Sequence, residues 1–336
     1  MVDVWIRSNV EQYPVHGLSV AVAERDGDIR VYSHGFSDVR RRREVTPTTL
    51  FHAASISKPL TATAAMIASG VGALRLDDPL SRALPGWTID NPFDEPVTIR
   101  RLMAHTSGMT GDRYDVDDPN RPLPTALDQL EDEGFPRTIS YKPGSAYVYS
   151  PYGYTVLQAA LERAYDREPF SQTMRRLVLG PFGMGSSEFE AVPTHPIALP
   201  YDSELFEKND QAPISDPPPA YRGLASGGLW TTPSDLVRFL MGFQSARSGC
   251  TVGGLTPELA SEMIERKLGF AADGVCGREG FGHTGHSAGY LSLMFGDEAR
   301  ALAVMVNSGP SMDFKGGEYA AFTFVRRLAN YLLDSH

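Results

Sequence analysis

The chain has 336 residues, 42% hydrophobic and 21% charged, which is ordinary for a soluble globular protein and enough for a substantial core. Its 31 basic and 41 acidic residues give a formal charge of −10, a poor match for nucleic acid or anionic membrane. No stretch approaches the ~18 apolar residues of a membrane span, and residues 1–10 carry Asp3 and Arg7 where a signal peptide has an apolar core, so the expectation is a cytoplasmic protein.

Residues 17–24 and 29–36 read as strands joined at Asp26-Gly27-Asp28, a hairpin signal. The basic run over 40–43, followed by Glu44, reads as a solvated turn. An extended approach over 50–54 runs into a helix over about 55–69, stopped by Gly70; Pro59 is tolerable because it lies near the first turn. The middle, about 77–231, is broken by prolines and mostly helical, with candidates at 98–105, 152–164 and 169–179. Residues 192–220, rich in Pro and Asp, read as a long surface loop. Helices resume at 233–243 and 257–266, and short strands follow at 281–285, 290–295 and 301–307. Gly296-Asp297-Glu298 makes the last turn, before an amphipathic helix over about 318–333.

Strands at both ends with helices between predict an α/β (α+β) fold. The central antiparallel sheet is built from the N- and C-terminal segments and flanked by helices, with an inserted, mostly helical lobe. The expected organisation is a single catalytic domain over 1–336, with a sheet lobe over about 1–76 plus 232–336 and a helical lobe over about 77–231. The cysteines, Cys250 and Cys276, belong to no ligand-spaced cluster.

Chemistry is suggested first by Phe51-His52-Ala53-Ala54-Ser55-Ile56-Ser57-Lys58-Pro59. Residues i and i+3 share a helix face, so the Lys58 side chain can reach the Ser55 hydroxyl. A serine hydroxyl is a weak nucleophile until a base takes its proton. Lysine can be that base if burial or nearby positive charge lowers its pKa from about 10.4. A helix N-terminus adds N–H donors that favour developing negative charge. Alone, the pattern reads equally as a capping serine and a solvated lysine. It gains force from two later segments in the order found in serine β-lactamases and penicillin-binding proteins: Lys142-Pro143-Gly144-Ser145-Ala146-Tyr147-Val148-Tyr149-Ser150-Pro151, and Gly282-His283-Thr284-Gly285.

These segments resemble the serine β-lactamase and penicillin-binding-protein family. The branch is the one containing class C β-lactamases, family VIII carboxylesterases, D-amino-acid peptidases and transacylases. Further similar segments are Leu102-Met103-Ala104-His105-Thr106-Ser107-Gly108, Leu179-Gly180-Pro181-Phe182-Gly183-Met184 and Ala225-Ser226-Gly227-Gly228-Leu229-Trp230-Thr231-Thr232-Pro233-Ser234-Asp235-Leu236. The resemblance implies that Ser55 is the acylated nucleophile, Lys58 its proton partner, and Tyr149 the phenol that helps move the proton to the leaving group. It leaves the base open between Lys58 and Tyr149, which titrate as a coupled pair. His283 stands where many relatives have lysine, and is placed to bond the tyrosine or a substrate carboxylate. The backbone N–H groups of Ser55 and His286 are the implied oxyanion hole, with Gly285 allowing a close approach to substrate. No cofactor and no metal are implied. Pro151 departs from the pattern: relatives carry an asparagine there, and proline offers neither donor nor side-chain oxygen. That shifts the expectation from β-lactam or peptide hydrolysis toward esters.

Competing readings are weaker. Gly285-His286-Ser287-Ala288-Gly289 matches the Gly-x-Ser-x-Gly nucleophile elbow, but that device needs strand–turn–helix and a later histidine, and only His336 follows. Ser287 is therefore expected at a strand start near the site. His105 reads as a helix-end packing residue. His283 and His286, three apart on a strand, face opposite ways and make a poor metal pair. Tyr147, Tyr152 and Tyr154 compete with Tyr149. The expected function is an esterase-like serine hydrolase acting on a small-molecule ester or amide, or else a transacylase; a stalled β-lactam sensor, a β-lactamase and a D-amino peptidase rank lower.

Overall fold

Leu18, Val20 and Val22 alternate with Ser19, Ala21 and Ala23, and all six side chains are buried, so this strand is covered on both faces. It belongs to a computed structural model that describes the chain except residues 25–26, 112–115, 120, 194, 209–211, 272–274, 311–319 and 336. Helix α1 (Val2–Val10) precedes strands β1 (Gly17–Glu24), β2 (Arg30–Asp38), β3 (Arg43–Glu44) and β4 (Phe51–His52). A 3-10 turn over Ala54–Ile56 feeds α2 (Ser57–Gly70), then α3 (Leu80–Ala83), α4 (Ile99–Met103), β5 (Val116–Asp117), α5 (Ala126–Glu131), α6 (Pro151–Ala164) and α7 (Phe170–Met174). Next come β6 (Glu188–Phe189), β7 (Tyr201–Asp202), β8 (Ala220–Tyr221), α8 (Leu224–Gly227), β9 (Leu229–Thr231), α9 (Pro233–Arg247) and α10 (Pro257–Glu265). The chain finishes with β10 (Phe281–Ser287), β11 (Tyr290–Gly296), β12 (Arg300–Val306), β13 (Ser308–Gly309) and α11 (Ala320–Asp334).

The six-stranded sheet runs β10-β11-β12-β1-β2-β3, antiparallel throughout, so both ends of the chain build it as expected. Val20 lies opposite Val304 on one side and Tyr32 on the other. On one face Leu18, Val20, Val22, Val304 and Val306 share a core with Ile6 of α1 and Phe324, Leu328 and Leu332 of α11. On the other, Ala21, Ala23, Ala303 and Met305 meet Phe239 and Phe243 of α9 and the larger core. The period of two along each strand produces both layers.

Helix starts follow local chemistry. Thr98, Thr125, Ser150, Thr232 and Thr256 each accept an N–H from the first turn, and α6, α9 and α10 place proline at the helix start. Two elements differ from the sequence reading. Residues 2–10, judged only as lacking a signal-peptide core, form α1, burying Val2, Ile6 and Val10 at four-residue spacing. The 192–220 stretch is not simply a surface loop: Ala198, Leu199 and Tyr201 are buried, and β7 pairs with β13. Tyr201 Oη accepts from Val39 N–H at 2.8 Å and its ring stacks on His16. The same stretch ends in β8, where Ala220 pairs with Asp117 of β5. The predicted turn residue Asp26 and the first two residues of the predicted last helix lie outside the described residues.

Candidate active site

Ser55 sits in the 3-10 turn between β4 and α2, buried but reachable at 6% exposure. The turn is fixed on the β9 side: Ala53 N–H donates to the Leu229 carbonyl at 2.8 Å, and Ser57 Oγ accepts from Leu229 N–H while donating to the Ala54 carbonyl. Ala54 holds φ of +47°, a left-handed backbone that costs a non-glycine residue about 1–2 kcal/mol. Such strain marks a turn whose surroundings over-determine it. Ser55 N–H, at the start of the turn, lies among the donors that a helix leaves without an internal partner.

Lys58 is fully buried, with Nζ 3.0 Å from Ser55 Oγ and 2.7 Å from the Ser226 carbonyl. Burial pushes its pKa well below the ordinary lysine value. A neutral amine that donates one N–H to Ser226 can turn its lone pair to the Ser55 hydroxyl. Tyr149 Oη lies 2.7 Å from the same Oγ, and the Lys58 Nζ sits 4.8 Å from the Tyr149 ring centre. Ser55 and Lys58 from one segment and Tyr149 from another 94 positions from Ser55 therefore meet at one oxygen. The competing tyrosines do other things. Tyr154 is buried and donates to the Met103 carbonyl, Tyr152 packs edge-on against Phe135, and Tyr147 is exposed.

His105 does more than pack a helix end. Its carbonyl accepts from Val148 N–H at 2.8 Å, its Nδ1 accepts from Ser150 N–H at 3.1 Å, and its ring lies 4.4 Å from the Tyr149 ring centre. It grips the residues on either side of Tyr149. The sequence signal is its place in Leu102-Met103-Ala104-His105-Thr106-Ser107-Gly108, but nothing there shows which distant segment it meets.

β10 lies alongside the Ser55 turn. His283 is buried, and its ring centre is 6.4 Å from that of Tyr149. Its Nδ1 faces the Thr284 carbonyl, which can only accept, so Nδ1 carries the proton. Burial, and then the nearby Lys58 amine, push the His283 pKa down to about 4. A Cβ at Gly285 would fall 2.0 Å from the Ala53 carbonyl oxygen. The close approach that requires glycine is thus to the protein's own turn rather than to open cleft. Gly282 offers its carbonyl to Ala271 rather than to β11, and by the alternation of an antiparallel ladder His286 also turns its N–H outward, beside the turn. Ser287 is the last residue of β10 rather than a strand start, and the following Ala288-Gly289 turn leads into β11, so the elbow's helix is missing. Its hydroxyl meets His52 Nδ1 at 2.8 Å.

Pro151 opens α6, where its missing N–H is harmless. It helps line a cavity of about 430 Å³ with Tyr152, Thr155, Tyr221, Ser226 and Gly227. A second cavity, about 590 Å³, is lined by Tyr149, His283, Thr284, Cys276 and Arg326. Cys276 and Cys250 are free thiols. Among the described residues no group of three or more His, Cys, Asp or Glu side chains is placed to hold a metal, and no helix is long and apolar enough to cross a membrane.

Comparison with known proteins identifies the family. A family profile described as Beta-lactamase matches residues 2–323. Penicillin-binding protein 4 of Amycolatopsis lactamdurans is 27% identical over 326 residues, 90% of this chain and 84% of that protein. Esterase EstB of Burkholderia gladioli is 31% identical over 196 residues, 54% of this chain and 50% of the esterase. Among solved structures, the D-amino acid amidase from Ochrobactrum anthropi SV3, complexed with D-phenylalanine, has a TM-score of 0.77 at 22% identity, covering 100% of this chain and 98% of the amidase. At that identity the likeness speaks for the fold. With a matching profile that runs through nearly the whole sequence, the chain belongs to the beta-lactamase family of serine hydrolase-like proteins.

Proposed function

We propose that the protein is an esterase-like serine hydrolase working through an acyl-enzyme on Ser55. The observation that carries this reading is the meeting of Lys58 Nζ and Tyr149 Oη on Ser55 Oγ, at 3.0 and 2.7 Å, with the lysine fully buried. Neutral Lys58 takes the hydroxyl proton as Oγ attacks the substrate carbonyl carbon. The tetrahedral oxyanion is held by the N–H groups of Ser55 and His286. As the acyl–oxygen bond breaks, Tyr149 gives its proton to the departing alkoxide and is reprotonated from Lys58. Water then enters, loses its proton along the same route, and releases the acid and the Ser55 hydroxyl. A neutral amine puts no positive charge beside Tyr149, which favours Lys58 over a phenolate as the base.

The acyl substrate is a small ester. Pro151 removes the side-chain amide that would hold an acyl-amide group, which favours ester over peptide or β-lactam substrates. The second cavity, on the His283 side of Tyr149, supports a second reading in which an alcohol or amine replaces water and the protein is a transacylase.

Intact mass spectrometry after mixing with short-chain nitrophenyl esters and with a penicillin tests both. A transient acyl adduct with ester turnover is the expected result, and faster turnover with added alcohols or amines supports the transacylase. An adduct that persists indicates a sensor. No adduct at all, or labelling that survives Ser55→Ala, overturns the assignment.

A further inference from the structure

Ser287 belongs to the one catalytic-looking motif that the proposed mechanism leaves unused, and the structure gives it a partner from the other end of the chain. His52 Nδ1 and Ser287 Oγ are 2.8 Å apart, across 235 positions of sequence, and both side chains are buried. His52 is held in place: it stacks on Tyr221 with ring centres 4.5 Å apart and lies tilted against Trp230 and Tyr290. It sits on β4, three residues before Ser55, opposite Trp230 of β9. Ser287 sits one residue after His286.

The contacts between these two segments follow strand geometry. Side chains two apart on a strand share a face, so His283, position 285 and Ser287 all point at the 52–55 segment. At one end is His283, beside the Tyr149 ring. In the middle the bare Gly285 lets the Ala53 carbonyl in, and Ser292 Oγ donates to that carbonyl at 3.0 Å. At the far end is the Ser287–His52 bond. The two proposed oxyanion donors, Ser55 N–H and His286 N–H, belong to the two sides of this junction. Their separation is set by how tightly it is closed.

We propose that His52 and Ser287 are positioning residues that fix the width of the oxyanion hole by pinning β10 to the Ser55 turn. The inference rests on the reading of Ser55 as nucleophile. Ser287 is not itself a nucleophile in this scheme: among the described residues no carboxylate is hydrogen-bonded to His52 to orient it. The hydroxyl acts through the neighbouring backbone. A donor displaced by a fraction of an ångström still binds a planar ground-state carbonyl but fits the tetrahedral oxyanion poorly, so the effect falls on kcat rather than on KM.

The test uses the full chain with a nitrophenyl ester, following acylation rate, KM, thermal midpoint and the affinity of a boronic acid that forms a tetrahedral adduct. Ser287→Ala is expected to slow acylation about 10- to 100-fold with KM nearly unchanged. Boronate affinity falls by a similar factor, and Ser287→Thr, which keeps the hydroxyl, recovers most of both. His52→Asn keeps a hydrogen-bonding atom near the Nδ1 position and should retain more activity than His52→Leu, which gives a second route should Ser287→Ala fail to fold. A Ser287→Ala protein with a lowered thermal midpoint but full acylation rate and boronate affinity overturns the proposal, as does equal activity of the two His52 variants. Loss of the acyl adduct in Ser287→Ala, with the adduct retained in Ser55→Ala, also overturns it and makes Ser287 the nucleophile. Retention of the adduct in both serine variants refutes the Ser55 assignment instead.

Discussion

Tyr149 Oη meets Ser55 Oγ at 2.7 Å although the two residues lie 94 positions apart. If this phenol delivers the proton to the leaving group, Tyr149→Phe should lower kcat about 10²- to 10⁴-fold while leaving KM close to wild type. Lys58→Met fills the same buried channel without a base and should cost at least as much. Steady-state kinetics with nitrophenyl esters of different leaving groups check both. The Tyr149→Phe deficit should shrink as the leaving group becomes more acidic, whereas the Lys58→Met deficit should not.

His105 grips Tyr149 from both sides, so its loss should appear in stability and rate together. His105→Leu leaves the buried Ser150 N–H without its acceptor, a cost of about 1–3 kcal/mol. Loosening the tyrosine should also lower kcat about tenfold. His105→Asn, which restores an acceptor, should recover part of each. Thermal unfolding and kcat measured on the same preparations decide whether the two effects travel together.

Pro151 offers a gain-of-function test. Pro151→Asn supplies the missing amide at the cavity wall, and one added hydrogen bond to an acyl-amide substrate is worth roughly 3- to 10-fold in acylation rate. Penicillin acylation, followed by intact mass, should rise while nitrophenyl acetate turnover changes little. Unaltered penicillin reactivity in a folded, ester-active variant shows that some other part of the cleft excludes β-lactams.

Acid should destabilise the fold well above the carboxylate range. Burial holds His16, His283 and His286 down at about 4 and His52 at about 3, against 6.5 in the unfolded chain. The unfolded state therefore binds these protons first as pH falls. Stability is fully present above about pH 6.5 and is lost progressively between 6.5 and the folded values near 4 and 3. Thermal midpoints across that window should drop steeply, and the slope should ease in His16→Gln, which removes one such group. Activity has its own acid limb: lysine must be neutral to act as base, so the rate falls once pH drops through the depressed Lys58 value.

Much of this architecture could be read in the sequence because it was local. The Gly17–Glu24 strand, the helix after Ser55 and the two late hairpin strands follow from alternation, spacing and glycine turns within a few residues. Ser55 and Lys58 are one helical turn apart, and the later motifs stand in recognisable order. The unread parts depended on which distant segments would meet. Tyr201 looked like part of a loop because its neighbours are polar and proline-rich, yet it is buried against His16 through β7. His52 looked like one more residue before the nucleophile. The elbow pattern calls for a histidine after Ser287, whereas the fold supplies one from before it, His52. Gly285 was expected to make room for substrate, but the strand it belongs to closes on the Ala53 carbonyl.

The 235 positions between His52 and Ser287 also have a meaning in time. A ribosome adding about 5–20 residues per second exposes the Ser55 turn roughly 10–50 s before the strand that completes the proposed oxyanion hole. Through that interval the emerging chain carries its serine and lysine without the pocket that makes them reactive. On the proposed mechanism, acyl-enzyme chemistry therefore waits until β10, Phe281–Ser287, has been made.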